Sequence, residues 1–353
     1  MESGIKAWTS SGSWARTTAV SYSTSTSWTD SPGTNYAVNA DSSLSMAINL
    51  SGTKMPVLEF WQRYSFQENS DYGFVEVSNN SGSSWTREYF VTGASATWVN
   101  ELVDLTAYAG NADVRIRFRL TTDGSGVSDG WYIDDVSIHE TAAGRLPYPF
   151  SEDFSTSTNN WVRGSWGRVS PGHGGGFALT DSPLGNYVDD IYGRVILKNT
   201  IDLSGATHPQ LSFWHKYTLY PDTNPCHEVE ADRARVYVSG FFGQSGTWTE
   251  VAAYSGNQAS WTQVQIDLSA FAEFSDVRVM FVLDDDDGRC YSTYYRREAD
   301  GWHIDDILIQ EAPADVTLNT PTGVTMHDAD LAWSQNADAG FNRYEVYRAK
   351  NAD

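Results

Sequence analysis

Apolar and polar residues alternate along much of this chain with a period of two. Val75-Glu76-Val77-Ser78, Val114-Arg115-Ile116-Arg117-Phe118-Arg119-Leu120, Val236-Tyr237-Val238-Ser239 and Val277-Arg278-Val279-Met280-Phe281 each set one row of apolar side chains on one face. That is the pattern of a half-buried strand. Gly, Asn, Asp and Ser clusters punctuate these runs and supply turn chemistry. Helical periodicity is hard to find anywhere. Many short strands without helices predict an all-β chain built as two-sheet sandwiches or jelly rolls.

The pattern is also written twice. Asp129-Gly130-Trp131-Tyr132-Ile133-Asp134-Asp135-Val136 returns as Asp300-Gly301-Trp302-His303-Ile304-Asp305-Asp306-Ile307. Asp30-Ser31-Pro32 with Tyr36 answers Asp181-Ser182-Pro183 with Tyr187, and Leu58-Glu59-Phe60-Trp61 answers Leu211-Ser212-Phe213-Trp214. A repeat of roughly 150 residues is domain-sized and too long for a solenoid unit. The expected organisation is one copy over 1–140, a Gly- and Pro-containing linker over 141–149, a second copy over 150–312, and a further unit over 313–353.

Composition narrows the function. A formal charge of -22 over 353 residues leaves no basic surface to displace counterions from phosphate, which excludes nucleic acid as the expected partner. Anionic membranes are disfavoured for the same reason, and no apolar run approaches the ~18 residues of a spanning helix. Few Lys and many Ser, Thr, Gly, Trp and Tyr read as an extracellular β-protein. Met1-Glu2-Ser3-Gly4 has neither the basic start nor the apolar core of a signal peptide. The chain is therefore expected to be a fragment of a longer secreted protein, with its first copy truncated near Glu2.

These landmarks, in the same order in both copies, resemble the MAM-like jelly-roll modules of secreted bacterial proteins. Such modules occur in immune-inhibitor-A-type metallopeptidases, in subtilisin-like peptidases and as the cleaved adhesin domains of gingipains. The tail, with Pro321-Thr322-Gly323-Val324, Leu331-Ala332-Trp333 and Tyr344-Glu345-Val346-Tyr347-Arg348, resembles the first strands of a fibronectin type III domain. It is too short for the roughly seven strands of a complete sandwich. The fold expected is two tandem β-sandwich (jelly-roll) domains plus an incomplete Ig-like fibronectin type III sandwich. The resemblance implies an extracellular, non-catalytic accessory region used in adhesion or substrate targeting, often steadied by calcium and possibly attached to a peptidase. Its partners would be an extracellular glycan or protein and the further domains of a longer parent.

Calcium takes six to eight oxygens, mostly carboxylates and carbonyls. The candidates at matching positions are Asp30, Asp71, Asp134 and Asp135 in the first copy and Asp181, Asp232, Asp305 and Asp306 in the second. Glu2, and Glu152 or Asp153, are their expected neighbours from the leading strands. Strict alternation sends Asp134 and Asp135 to opposite faces, so only one of them is expected at a given site. The alternative is that these acids end strands and accept turn amides. Asp284-Asp285-Asp286-Asp287-Gly288 reads as a solvated loop, and it lacks the alternating acids of an EF-hand.

Both cysteines fall in insertions that only the second copy possesses. Leu58 aligns with Leu211 at an offset of 153 residues, and Asp71 with Asp232 at 161, so eight extra residues around Cys226 separate the latter pair. A second eight-residue insertion holds Cys290. The simplest account is a Cys226–Cys290 disulfide stapling adjacent loops. Free thiols are the alternative, and a zinc pair with His227 lacks further ligands.

The 14 tryptophans invite a carbohydrate-binding reading. Trp8, Trp14, Trp61, Trp85, Trp98 and Trp131 correspond to Trp161, Trp166, Trp214, Trp248, Trp261 and Trp302, which points to core or platform pieces shared by both copies. Better contact candidates stand in unshared loops: Tyr220, Phe241, Phe242, Tyr291, Tyr294 and Tyr295, with Arg296 and Arg297 beside the last three. Aromatic and Arg side chains are the usual anchors of recognition surfaces. No His-Glu-x-x-His is present, and no catalytic residue is assigned.

Overall fold

The computed structural model describes residues 8–23, 25–68, 70–140, 144–183, 185–187, 192–219, 232–284 and 299–313. Glu2, both cysteines, Tyr220, Tyr291, Tyr294, Tyr295, Arg296, Arg297 and the tail that resembles fibronectin type III lie outside those residues. The chain is all-β, with no α-helix among the described residues and two short 3₁₀ turns, Thr106–Tyr108 and Ser269–Phe271.

The first sandwich has ten strands: β1 (Thr9–Ser11), β2 (Ala15–Thr17), β3 (Ser27–Thr29), β4 (Asp41–Ile48), β5 (Pro56–Ser65), β6 (Tyr72–Ser78), β7 (Thr86–Val91), β8 (Ala94–Asp104), β9 (Val114–Thr121) and β10 (Gly130–Glu140). They form two sheets, β1-β4-β9-β6-β7 and β2-β3-β10-β5-β8. The second sandwich adds β11 (Arg145–Leu146), β12 (Phe150–Glu152), β13 (Trp161–Val162), β14 (Gly167–Val169), β15 (Ala178–Thr180), β16 (Tyr192–Leu197), β17 (Thr200–Ile201), β18 (Pro209–Thr218), β19 (Arg233–Ser239), β20 (Thr249–Tyr254), β21 (Asn257–Asp267), β22 (Arg278–Asp284) and β23 (Gly301–Glu311). Its sheets, β13-β16-β22-β19-β20 and β14-β15-β23-β18-β21, repeat the order of the first pair, and β12 joins the latter by pairing with β23. The sequence repeat is therefore a repeat of topology. Arg145–Leu146, within the stretch expected to link the copies, pairs in parallel with Thr200–Ile201 of the second sandwich.

The alternating runs place their apolar rows between the sheets. Leu44, Leu58, Phe60, Val75, Val77, Ile116, Phe118, Leu120, Trp131 and Ile133 are buried in the first core, and Leu211, Phe213, Val236, Val279, Phe281, Trp302 and Ile304 in the second. Each fully buried Phe contributes about 1.5–3 kcal/mol from area removed from water. The signature tryptophan sits at the centre of each core with its indole N–H satisfied. Trp131 donates to Gln62 Oε1 at 2.9 Å, and Trp302 donates to His215 Nδ1 at 3.3 Å.

The shared motifs hold one another. Asp30 Oδ1 accepts the backbone N–H of Trp131 at 2.5 Å, while Ser31 Oγ donates to the Asp129 carbonyl at 2.5 Å. Asp181 and Ser182 do the same for Trp302 and Asp300, at 2.6 and 2.5 Å. Gly130 and Gly301 lie between these contacts at φ +96° and +83°. A Cβ there would meet the serine Oγ at 2.4 and 2.5 Å, so both copies require glycine.

The copies also pack on each other. Arg278, at the start of β22, donates to Asp104 Oδ2 of the first sandwich at 2.6 Å and to Thr106 Oγ1 at 3.1 Å. The Arg278 and Asp104 side chains are only 1% and 5% exposed. Arg194 pairs with Glu88, and Lys54 lies 5.2 Å above the ring of Phe242.

Candidate functional site: paired aromatic platforms

On β5, Leu58, Phe60 and Gln62 point inward, so Trp61 points out. Trp61 stands opposite Asn100 of β8 and Asp134 of β10. Trp98, two residues before Asn100, therefore shares its face. The loop between β2 and β3 folds over this face and lays Tyr22 flat on Trp61, with ring centroids 3.8 Å apart and planes within 10°. Trp98 meets Tyr22 edge-on at 6.1 Å. Tyr22 itself is 44% exposed.

The second sandwich rebuilds this arrangement with one change. His173 takes the place of Tyr22 and stacks on Trp214 at 3.8 Å and 13°, with Trp261 edge-on at 5.8 Å. Lys216 Nζ lies 5.5 Å from the Trp261 ring. Each sandwich thus carries three aromatic rings on an outer face, at equivalent positions.

The Asp-Asp pair of each signature clamps the covering loop. Asp134 Oδ2 accepts the backbone N–H groups of Tyr22 at 2.8 Å and Ser23 at 3.2 Å, and Asp135 Oδ1 accepts Ser23 Oγ at 2.8 Å. Asp305 Oδ2 accepts the N–H of His173 at 2.8 Å, while His173 Nδ1 lies 2.7 Å from Asp306 Oδ2. Both acids of each pair reach one loop, contrary to strict alternation. The cause is local: Asp135 and Asp306 adopt φ +44° and +48°, and the register of β10 against β5 shifts between Asp134 and Ser137. A left-handed residue at a bulge re-aims its side chain.

The other candidate acids are spread out. Asp71 accepts from the Tyr36 hydroxyl at 2.6 Å and from the N–H of Asp123 at 2.8 Å, and Asp232 accepts from Tyr187. Glu152 accepts from the N–H of Phe154 and from Asn160 Nδ2, and Asp153 from the N–H of Ser155. Among the described residues no group of three or more His, Cys, Asp or Glu is placed to hold a metal ion. Most of these carboxylates accept hydrogen bonds from protein donors. Asp30 and Asp181 differ, because their Oδ2 atoms are buried with no partner. Burial pushes these two carboxyls up to about 7 and about 8, with the charges of Asp129 and Asp300 adding to the effect.

Phe241 is 54% exposed and meets Phe274 edge-on at 5.1 Å. Phe242 belongs to the contact between copies, under Lys54 and with its carbonyl accepting from Arg278 at 3.0 Å. Sequence reasoning missed Tyr22 and His173. The signal was positional: each stands eight residues before its Asp-Ser-Pro.

No family model matches the chain. A 118-residue stretch is 31% identical to part of Bacillopeptidase F of Bacillus subtilis (strain 168), covering 32% of this chain and 8% of that protein. The chain thus spans under a tenth of that relative. Among solved structures, it is similar to the N-terminal CBM22-1-CBM22-2 tandem domain of Paenibacillus barcinonensis Xyn10C (16% identity, TM-score 0.31, covering 88% of this chain and 95% of that one). It is also similar to the K3 cleaved adhesin domain of Lys-gingipain from Porphyromonas gingivalis w83 (14% identity, TM-score 0.28, covering 46% and 98%).

Proposed function

We propose that this chain is a non-catalytic recognition region of a secreted protein, used for adhesion or substrate targeting and carried by a peptidase. The observation that carries the reading is the pair of aromatic platforms, rebuilt on the same outer sheet of both copies. The carboxylates nearest the rings hold the covering loops and are not presented as an acid and base pair. The match to part of Bacillopeptidase F supports a peptidase parent. Both copies are MAM-like modules on this reading.

A carbohydrate ligand is the second reading. It is favoured by the platform chemistry, because indole and phenol faces offer flat apolar surface beside polar groups such as Asn100 and Glu59, which hydrogen-bond each other at 3.1 Å. The test is retention of the intact protein on insoluble extracellular polymers, glycan and protein, against the W61A/W214A double variant. Retention lost in the double variant supports the reading. Equal retention, or turnover of a substrate by the purified protein, overturns it.

Calcium is part of the proposal at one place in each copy, beside Asp30 with Asp129 and beside Asp181 with Asp300. The buried, unpartnered Oδ2 atoms support that placement. The ion would neutralise each acid pair and add stability by binding the folded state.

A further inference from the structure

A cleft of about 230 Å³ lies where the two sandwiches meet. Tyr64, Phe90 and Glu101 of the first copy line one side, and Arg163, Asn186 and Tyr187 of the second line the other. Its walls are held at fixed separation by the buried Arg278–Asp104 pair and by Arg194 with Glu88. Neither copy alone contains this site.

Part of the lining is shared scaffolding, since Asp181-Ser182-Pro183 and Tyr187 answer Asp30-Ser31-Pro32 and Tyr36, but two lining residues are not. By strand register, Phe90 corresponds to Ala253 and Glu101 to Val264 in the second copy. Glu101 is 8% exposed, so an ionisable group is buried where the other copy uses an apolar one. Burial of this group costs stability, offset in part by hydrogen bonds with the Gln62 and Tyr89 side chains. Burial pushes this carboxyl up to about 7, against the pull of Arg163 across the cleft.

The size and chemistry define the guest. The cleft is smaller than the roughly 300–1,000 Å³ of drug-sized sites, so it takes one ring rather than several. Arg163 and Glu68 bring opposite charges to the lining, and burial favours the neutral form of Glu101 and of Asp181, which also lines the cleft, so no net charge selects an ion. What remains is a neutral guest with one flat apolar face for Tyr64 and Phe90, and hydroxyls that both donate and accept for Glu101, Arg163 and Asn186. We infer that the inter-copy cleft binds a single neutral pyranose unit of a glycan, separately from the outer platforms. This rests on the recognition role proposed above.

Saturation-transfer NMR on the intact chain with glucose, galactose, mannose, xylose and N-acetylglucosamine tests it in the millimolar range. The variants are F90A and E101V, each carrying the residue of the other copy, the exposed-site variant N186A, and W61A/W214A. The expected result is saturable binding of at least one sugar, weakened about tenfold in F90A, E101V and N186A, with the cleft's share of the binding remaining in W61A/W214A. Binding that survives in the cleft variants but is lost in W61A/W214A overturns the cleft and leaves the recognition role standing. No saturable binding of any sugar also overturns the cleft, while polymer retention decides the recognition role by itself.

Discussion

His215 offers a direct way to test how the second core is built. Gln62 accepts the indole N–H of Trp131 in the first copy, and His215 accepts that of Trp302 at the equivalent place. Burial pulls His215 from 6.5 down to about 4, so the folded chain keeps a neutral ring. The unfolded chain takes up a proton near 6.5. Between these values the folded state binds fewer protons, so stability present above pH 6.5 is lost as pH falls towards 4. At pH 4.5 the loss amounts to about 2.5 kcal/mol, from about 1.36 kcal/mol per pH unit over the two units below 6.5 less the part the folded ring regains. His215→Gln installs the acceptor of the first copy and removes the titration. An amide left without an acceptor for its N–H₂ costs about 1–3 kcal/mol, but equally at every pH. Urea unfolding of both proteins at pH 7.5 and 4.5, in chelator throughout, reads the difference. Asp30, Asp181 and His303 titrate in both proteins and cancel. The parent is expected to lose about 2.5 kcal/mol more than the variant across the interval. Equal losses would refute the account of His215 as a buried neutral acceptor.

Arg278→Ala strands Asp104 in the contact between copies and should destabilise the chain by about 3–5 kcal/mol. Calorimetry should then resolve separate transitions for the two sandwiches, and an unchanged trace would show that the pair does not couple them. Gly301→Ala pushes a Cβ to 2.5 Å from Ser182 Oγ at φ +83° and is expected to lower stability by more than the ~1 kcal/mol typical of a point change. An unaltered melting midpoint would contradict the close approach. Chelator should lower the midpoint of the parent, by as much as about 2.7 kcal/mol of stability when free calcium stands at a hundred times its dissociation constant. Asp181→Asn should shrink that shift, and a midpoint indifferent to chelator removes calcium from the proposal.

The sandwich architecture was legible because the period-two runs and the repeated landmarks report local contacts. Asp-Ser-Pro and Gly-Trp recur together because Asp30 and Asp181 receive the N–H of Trp131 and Trp302. The aromatic covers were not legible, since Tyr22 and His173 differ in identity and stand in loops where neither strand nor helix period applies. Asp134 and Asp135 misled for a physical reason: the pleat rule assumes extended backbone, and φ +44° at Asp135 breaks it. Arg278 reads as one more outward residue of an alternating strand. Nothing along the chain reveals that its neighbour in space is Asp104, 174 residues earlier.

On the proposed recognition role, the buried guanidinium of Arg278 bears on avidity. Two modules on a slack tether would sample many separations, and the second encounter with a polymer would be diluted across them. Here the stacked rings of Tyr22 on Trp61 and of His173 on Trp214 are held at one spacing, like the jaws of a caliper. On the proposed recognition role, a polymer whose repeat matches that spacing would gain a chelate advantage, and one that does not match would be limited to one jaw at a time.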